Sequence, residues 1–401
     1  MTSEVAPAVE PFSVAVDEAV LDDLRARLAR AQLAPVLGDD DPTFGITVAQ
    51  LTRVIEHWRD AYDWRAREAE INAYTHVRTT IDGQPVHALH ERGDGTNPLP
   101  IVLTHGWPWT FWDFRRLIDL LAHPERHGGD AADAFDVVVP SLPGFVFSTP
   151  LAGRGTTFAR TADLWVELMA RLGYERFAAH GGDMGAFVTG ELGHRHPEHV
   201  VGAHLSTVVR LGAWNLERPW SDLVRTPLPD DPQARAGVLA RERKYAAHIT
   251  VQVLEPQTVA HALHDSPVGL ASWVLQRRRA WSDCGGDLET RFTLDELVTH
   301  IMLWWATGTY ASSARFYHTM ANTPWTPARE GLPVVSAPTG FTLFTRDLLP
   351  GFDIHRLSDE FNIVHVTESD VGGHFGAAEE PEVVAASLRE MFRPLRGTVG
   401  A

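Results

Sequence analysis

Apolar positions change their spacing several times along the chain, and each change predicts a different element. Leu21, Leu24 and Leu28 recur at three- and four-residue intervals, with Asp22, Asp23, Arg25 and Arg27 between them. That period predicts an amphipathic helix over 17–31, with Asp17 as its N-cap. A second helix is expected over 48–58. The stretch from Val77 to Leu89 reads as a β-hairpin around Asp82-Gly83. From about Pro100 come four short apolar runs, Ile101-Val102-Leu103, Val137-Val138-Val139, Phe177-Ala178-Ala179 and Val200-Val201-Gly202-Ala203. Helical patterns near 111–121 and 158–172 separate them. This alternation predicts a parallel sheet with helices on both faces.

Strand signals stop after Leu211. Residues 214–325 read mostly as helix and carry seven of the thirteen tryptophans. Strand patterns return over 334–344 and 363–366, and a helix is expected from Pro381 to Phe392. The chain thus divides into a helical meander with a first hairpin (1–95), the first part of an α/β core (96–213), a helical cap (214–330) and the second part of the core (331–401).

Composition narrows the class of function. Of 401 residues, 44% are apolar and 22% charged, which is ordinary for a globular chain. A formal charge of −17 argues against nucleic acid or an anionic membrane as partner. The single cysteine, Cys284, excludes an internal disulfide framework and a Cys-rich zinc site. Lys244 is the only lysine among 35 basic residues, so the other 34 are arginines. This bias suggests a high-GC bacterial genome, such as an actinomycete's, and carries no mechanistic weight. Met1 to Glu10 lack the basic and apolar regions of an export signal, and no run of about 18 apolar residues could span a bilayer. A cytoplasmic protein is the expectation, with a homodimer as the base-rate assembly.

Three short motifs carry chemistry. His180-Gly181-Gly182-Asp183-Met184-Gly185-Ala186 follows an expected strand and opens an expected helix. It has the shape of a nucleophile elbow with Asp in the serine position. Taken alone, Asp183 also reads as an ordinary N-cap after a glycine-rich turn. A carboxylate there can attack an sp³ carbon bearing a strained or good leaving group. Thr104-His105-Gly106-Trp107-Pro108 follows the strand at Ile101, where such a sheet places an oxyanion-hole amide. The two amides would be those of Trp107 and Met184. Val371-Gly372-Gly373-His374-Phe375-Gly376 puts a histidine on a glycine-rich loop after the last strand, the place of a general base. Its acidic partner is assigned to Asp347, just past the strand ending at Phe344, with Asp353, Glu368 and Asp370 as rivals. The order Asp183, Asp347, His374 is the nucleophile, acid, histidine order of this kind of sheet.

Taken together, these residues resemble the epoxide hydrolases of the α/β-hydrolase superfamily, specifically the microsomal-type branch, over nearly the whole chain. Pro11-Phe12 through Leu33, Pro140-Ser141-Leu142-Pro143-Gly144-Phe145, Asp265-Ser266-Pro267-Val268-Gly269-Leu270, Ser312-Ser313-Ala314-Arg315-Phe316-Tyr317 and Glu379-Glu380-Pro381-Glu382 also look like family sequence. The resemblance implies an α/β-hydrolase fold with a helical cap and an N-terminal meander. It implies that Asp183 forms an alkyl ester with a small-molecule epoxide, which His374-activated water hydrolyses to a vicinal diol. No metal or organic cofactor is implied. Detoxification or natural-product biosynthesis would be its setting.

The chain departs from the family at one position. The family opens the epoxide with two cap tyrosines. Tyr317 matches the second, but His248 stands where the first is expected, and Tyr245 lies three residues earlier. Ring opening could use His248 as the acid, Tyr245 reaching in from one helical turn away, or Tyr317 alone, and Tyr317 with His248 assisting is the preferred combination. Trp273 and other cap tryptophans, Trp214, Trp220, Trp281, Trp304, Trp305 and Trp325, are candidates to line an apolar substrate tunnel. The run from His194 to His199 reads as a solvated helix end rather than a metal site. Two rival functions are a haloalkane dehalogenase, disfavoured by Met184 where a halide-binding tryptophan is common, and a catalytically silent ligand-binding scaffold, disfavoured by the intact Asp183, Asp347 and His374.

Overall fold

The structure, a computed structural model, describes residues 9–36, 38–153, 156–214, 229–347 and 353–398, with side chains described for all of these except 240–246 and 398. The elements in chain order are β1 (Glu10–Phe12), α1 (Glu18–Ala29), α2 (Val48–Asp60), α3 (Trp64–Ile71), β2 (His76–Ile81), β3 (Gln84–Glu91), β4 (Leu99–Thr104), α4 (Arg115–Ala122), β5 (Phe135–Pro140), α5 (Phe158–Arg171), β6 (Phe177–Gly181), α6 (Met184–Arg195) and β7 (Val200–Leu205). There follow α7 (Pro232–Leu254), α8 (Pro256–Asp265), α9 (Pro267–Trp281), α10 (Leu294–Thr307), α11 (Tyr310–Asn322), β8 (Val335–Phe344), β9 (Phe361–Ser369), α12 (Gly376–Glu379) and α13 (Pro381–Phe392).

The nine strands form one sheet in the order β1-β2-β3-β5-β4-β6-β7-β8-β9. The first three strands and the β3–β5 pair are antiparallel, and every later pairing is parallel. Strands β4, β5 and β7 are buried along their whole length, as expected where helices cover both faces. The chain runs outward from β4 to β5 and then back past β4 to β6. The crevice beyond the carboxyl ends of β4 and β6 is therefore a topological switch point, the place where such sheets bind ligands.

The hairpin forms where expected, with Asp82 and Gly83 both at positive φ in its turn. The helix expected over 17–31 ends at Ala29, where Arg30 takes up a cap geometry. The helix expected from Phe111 begins instead as a 3-10 turn, Phe111–Phe114, held by a reciprocal Thr110–Asp113 capping box, and α4 proper starts at Arg115. Strand β1 and helix α3 were not foreseen. In the run His194–His199, residues 195–199 are partly or fully exposed as a solvated helix end should be, but His194 departs from that reading. His194 is buried, its Nδ1 bonds to the Val334 carbonyl (2.7 Å) and its Nε2 accepts the Ala328 N–H (2.9 Å). It ties the end of α6 to the lead-in of β8 instead of facing water.

Between β7 and β8 the described residues contain only helix and loop. Helices α7 and α11 lie side by side, with α8 and α9 against them. On α7, His248 and Gln252 are one turn apart, and on α11, Tyr310 and Tyr317 are two turns apart. The two pairs meet: Tyr310 Oη donates to Gln252 (3.2 Å), and His248 Nε2 lies 3.2 Å from Tyr317 Oη.

Candidate active site

The Gly181–Gly185 turn joins β6 to α6, and Asp183 sits at its apex with φ 52° and ψ −122°. A non-glycine residue avoids this region unless its surroundings impose it. Three hydrogen bonds do so here: Gly185 N–H to the Gly182 carbonyl (2.8 Å), Ala186 N–H to the Asp183 carbonyl (3.1 Å), and Asp183 N–H to Thr207 Oγ1 just past β7 (2.8 Å). Close packing also requires glycine on both sides. A Cβ at Gly185 would collide with the Thr104 carbonyl, and one at Gly106 with the Asp183 carboxylate.

The carboxylate is oriented by two different partners. Its Oδ1 accepts the Trp107 backbone N–H at 2.8 Å, and its Oδ2 lies 3.3 Å from His374 Nε2. Met184 follows Asp183 at the first position of α6, where an N–H has no acceptor within the helix. His374 Nδ1 lies 3.0 Å from Asp347 Oδ2. Among the rivals to Asp347, Asp353 caps the turn at Ile354 through the His355 N–H, and Asp370 accepts from Thr345. Neither these two nor Glu368 makes a polar contact with His374 among the described residues.

Burial alone would lower the His374 pKa, but the Asp347 and Asp183 carboxylates outweigh it and raise it to about 10. In the resting site the imidazole is therefore a cation between two carboxylates. Burial drives the Tyr317 phenol well above its ordinary value of 10, and the charge of Asp183 acts in the same direction. That hydroxyl stays protonated at any working pH.

Aromatic rings close the other side. The imidazole of His248 lies flat on Trp107, with centroids 4.9 Å apart and planes at 7°, and meets Tyr317 edge-on at 5.4 Å. Trp281 sits 4.9 Å from His248 and 5.1 Å from His374, and Trp214 5.4 Å from Tyr317. The structure thus gathers Asp183, Asp347, His374, Trp107, Met184, Tyr317 and His248 at one place. Trp273 stands one step further back, its side chain in polar contact with Tyr310, which in turn bonds Gln252 beside Tyr317. Trp273 packs under the Arg277 guanidinium, two turns of α9 before Trp281, and it is Trp281 that faces the site. Tyr245 lies on α7 with its side chain outside the described residues, as is Trp220 entirely. Trp304 is core against Phe145, Trp325 bonds Glu191, and Trp305 stacks with Arg27.

Two contributors had no sequence signal of their own. Thr207 anchors the elbow from the end of the neighbouring strand, and Trp281 could be picked from its fellow tryptophans only by knowing how α9 is aimed. No cluster of three or more His, Cys, Asp or Glu suited to a metal ion occurs among the described residues. No helix among them is long and apolar enough to cross a membrane.

Comparison with known proteins agrees with this architecture. Residues 9–114 match the family model of the epoxide hydrolase N terminus, and residues 100–258 that of the alpha/beta hydrolase fold. A provisionally named epoxide hydrolase of Stigmatella aurantiaca is 39% identical over 97% of this chain and 86% of its own. Epoxide hydrolase 1 of Sus scrofa is 32% identical over 96% of this chain and 88% of its own. The crystal structure of juvenile hormone epoxide hydrolase from Bombyx mori superposes with a TM-score of 0.80 at 25% identity, covering 98% of this chain and 95% of that one.

Proposed function

Since the chain belongs to the epoxide hydrolase family of the α/β-hydrolase fold, we propose that it opens an apolar or aromatic epoxide through an ester on Asp183. The observation that carries this reading is the orientation of the Asp183 carboxylate. Oδ1 already accepts the Trp107 amide, which leaves Oδ2 as the nucleophile. Attack of Oδ2 on an epoxide carbon breaks that carbon–oxygen bond. The departing oxygen takes a proton from Tyr317, with His248 assisting across their 3.2 Å contact. Oδ1 becomes the ester carbonyl oxygen and is already in the oxyanion hole.

Esterification also removes one of the two charges that hold His374 protonated. With Asp183 neutral, only Asp347 still raises the imidazole pKa, so His374 releases its proton, which passes through solvent to restore the Tyr317 hydroxyl, and can then act as a base toward water. Water then attacks the Asp183 carboxyl carbon, and the Trp107 and Met184 amides hold the tetrahedral oxyanion. Collapse frees the vicinal diol and restores the carboxylate. Residues 214–330 serve as a cap carrying the ring-opening groups, and Trp107, Trp214 and Trp281 offer apolar walls that suit an aryl or alkyl substituent.

Intact-protein mass spectrometry of His374→Gln, exposed to a panel of epoxides, tests the reading. A stable gain equal to the whole epoxide, absent in Asp183→Asn, is expected. A gain equal to an alkyl group from a haloalkane, with no epoxide adduct, would move the assignment to dehalogenation.

A further inference from the structure

The loop that carries His374 is held almost wholly by groups outside it. Four successive backbone N–H groups donate in alternation. Gly372 donates to Asp283 Oδ2 (3.2 Å), Gly373 to Glu379 Oε2 (3.1 Å), His374 to the Trp281 carbonyl (2.9 Å) and Phe375 to Glu379 Oε1 (3.0 Å). Glu379 Oε2 also accepts the Asp283 N–H at 2.7 Å. One carboxylate, 6% exposed, thus takes three backbone N–H groups, two from the histidine loop and one from the segment after α9. Approach is close enough that a Cβ on Gly373 would lie 2.6 Å from the Trp281 carbonyl oxygen. Two further contacts fix the frame. The Arg278 guanidinium is sandwiched between the Phe292 and Phe375 rings at 4.4 and 4.3 Å, and Arg291 bridges Asp283 and Glu380.

We propose that Glu379 is a positioning residue for the second half-reaction, holding the His374 imidazole in line with the Asp183 ester by pinning its loop to the helical insertion. This rests on the ester reading above. The nucleophile, the oxyanion amides and Tyr317 stand on other elements, so Glu379 acts on ester hydrolysis and not on ester formation. A side chain that only stabilised the fold would depress both steps or neither. Misplacing a catalytic group by about an ångström can cost on the order of 10²-fold in rate, which sets the size of effect to look for.

The test is rapid-quench single turnover on Glu379→Gln with an epoxide that the wild type hydrolyses, following the protein adduct by mass. Gln keeps the length but turns one acceptor oxygen into an NH₂ group facing backbone N–H donors. Ester formation should stay within about 3-fold of wild type while hydrolysis slows about 10-fold or more, so the adduct accumulates and kcat and KM fall together. Equal slowing of both steps, or an unchanged hydrolysis rate, overturns the proposal. If Glu379→Gln does not fold, Glu379→Asp, which keeps the charge but retracts it by one methylene, must show the same selective loss. His374→Gln runs alongside. An adduct there with none in the Glu379 variant defeats the role of Glu379 alone, and no adduct in either defeats the ester reading itself.

Discussion

Asp183, His374, Asp347 and Trp107 stand at the ends of parallel strands, whereas His248, Trp281 and Tyr317 project from three helices inserted between β7 and β8. The first group is held by backbone: a strained φ at Asp183, glycines packed against carbonyls, and amides aimed at the carboxylate. The second group is held by rings, with His248 flat on Trp107 and Trp281 wedged between His248 and His374. Backbone placement leaves little room for substitution. Ring packing tolerates exchange of one flat ring for another, so position 248 accommodates a histidine as a flat ring against Trp107. The strand-end side supplies the covalent chemistry in this account, and the helical side supplies the proton and the shape of the pocket.

The sharpest break in this comparison is Asp183→Asn, which should lower kcat/KM by about 10⁴-fold or more by removing the nucleophile. Steady-state assay against wild type checks it, and substantial residual turnover would mean that water attacks the epoxide directly. Tyr317→Phe should cost less, about 10²-fold, because it removes a general acid while leaving the ring in place. The loss should fall on ester formation, and an unchanged alkylation rate would take the proton donor away from Tyr317. His248→Phe keeps the stack on Trp107 and deletes only the ring nitrogens. A loss of about 10-fold is expected, the size of one hydrogen bond, and no loss would leave His248 as a wall and nothing more.

Much of the strand-end side was legible in the sequence, and for a physical reason. An elbow needs glycine on both sides of the apex, an oxyanion loop follows the strand paired beside the elbow strand, and a base must follow the last strand. These constraints act locally and so appear as motifs. The helical side was legible only in part. Trp273 and Trp281 lie on the same predicted helix, and helical period cannot say which faces the strand ends. Helix α3 was hidden because Glu68 occupies its buried face, where it accepts the Val16 and Trp64 N–H groups and breaks the apolar spacing. Strand β1 is three residues long, too short for any period, and forms because β2 offers it an edge. Glu379 is visible in the sequence only as part of the family-like run Glu379-Glu380-Pro381-Glu382, and nothing in that run shows that it is buried under the histidine loop.

The smallest effect is one of pH on stability. An unfolded imidazole loses its proton near 6.5, whereas His374 in the resting fold keeps it to about 10. Its ion-pair contribution is therefore complete below about pH 6.5 and is lost as pH rises through about 10. Urea denaturation should show the advantage of wild type over His374→Gln shrinking between about pH 7 and pH 10. A gap that stays constant over that range would contradict the assignment of His374 as a cation between Asp183 and Asp347.

If Asp183 is the nucleophile, the oxygen first added to the substrate comes from its carboxylate and not from water. Single-turnover reaction in ¹⁸O-water, with enzyme in excess over epoxide, tests it directly. An unlabelled diol and one ¹⁸O in the peptide containing Asp183 are expected. Label in the diol, with none in that peptide, would contradict it.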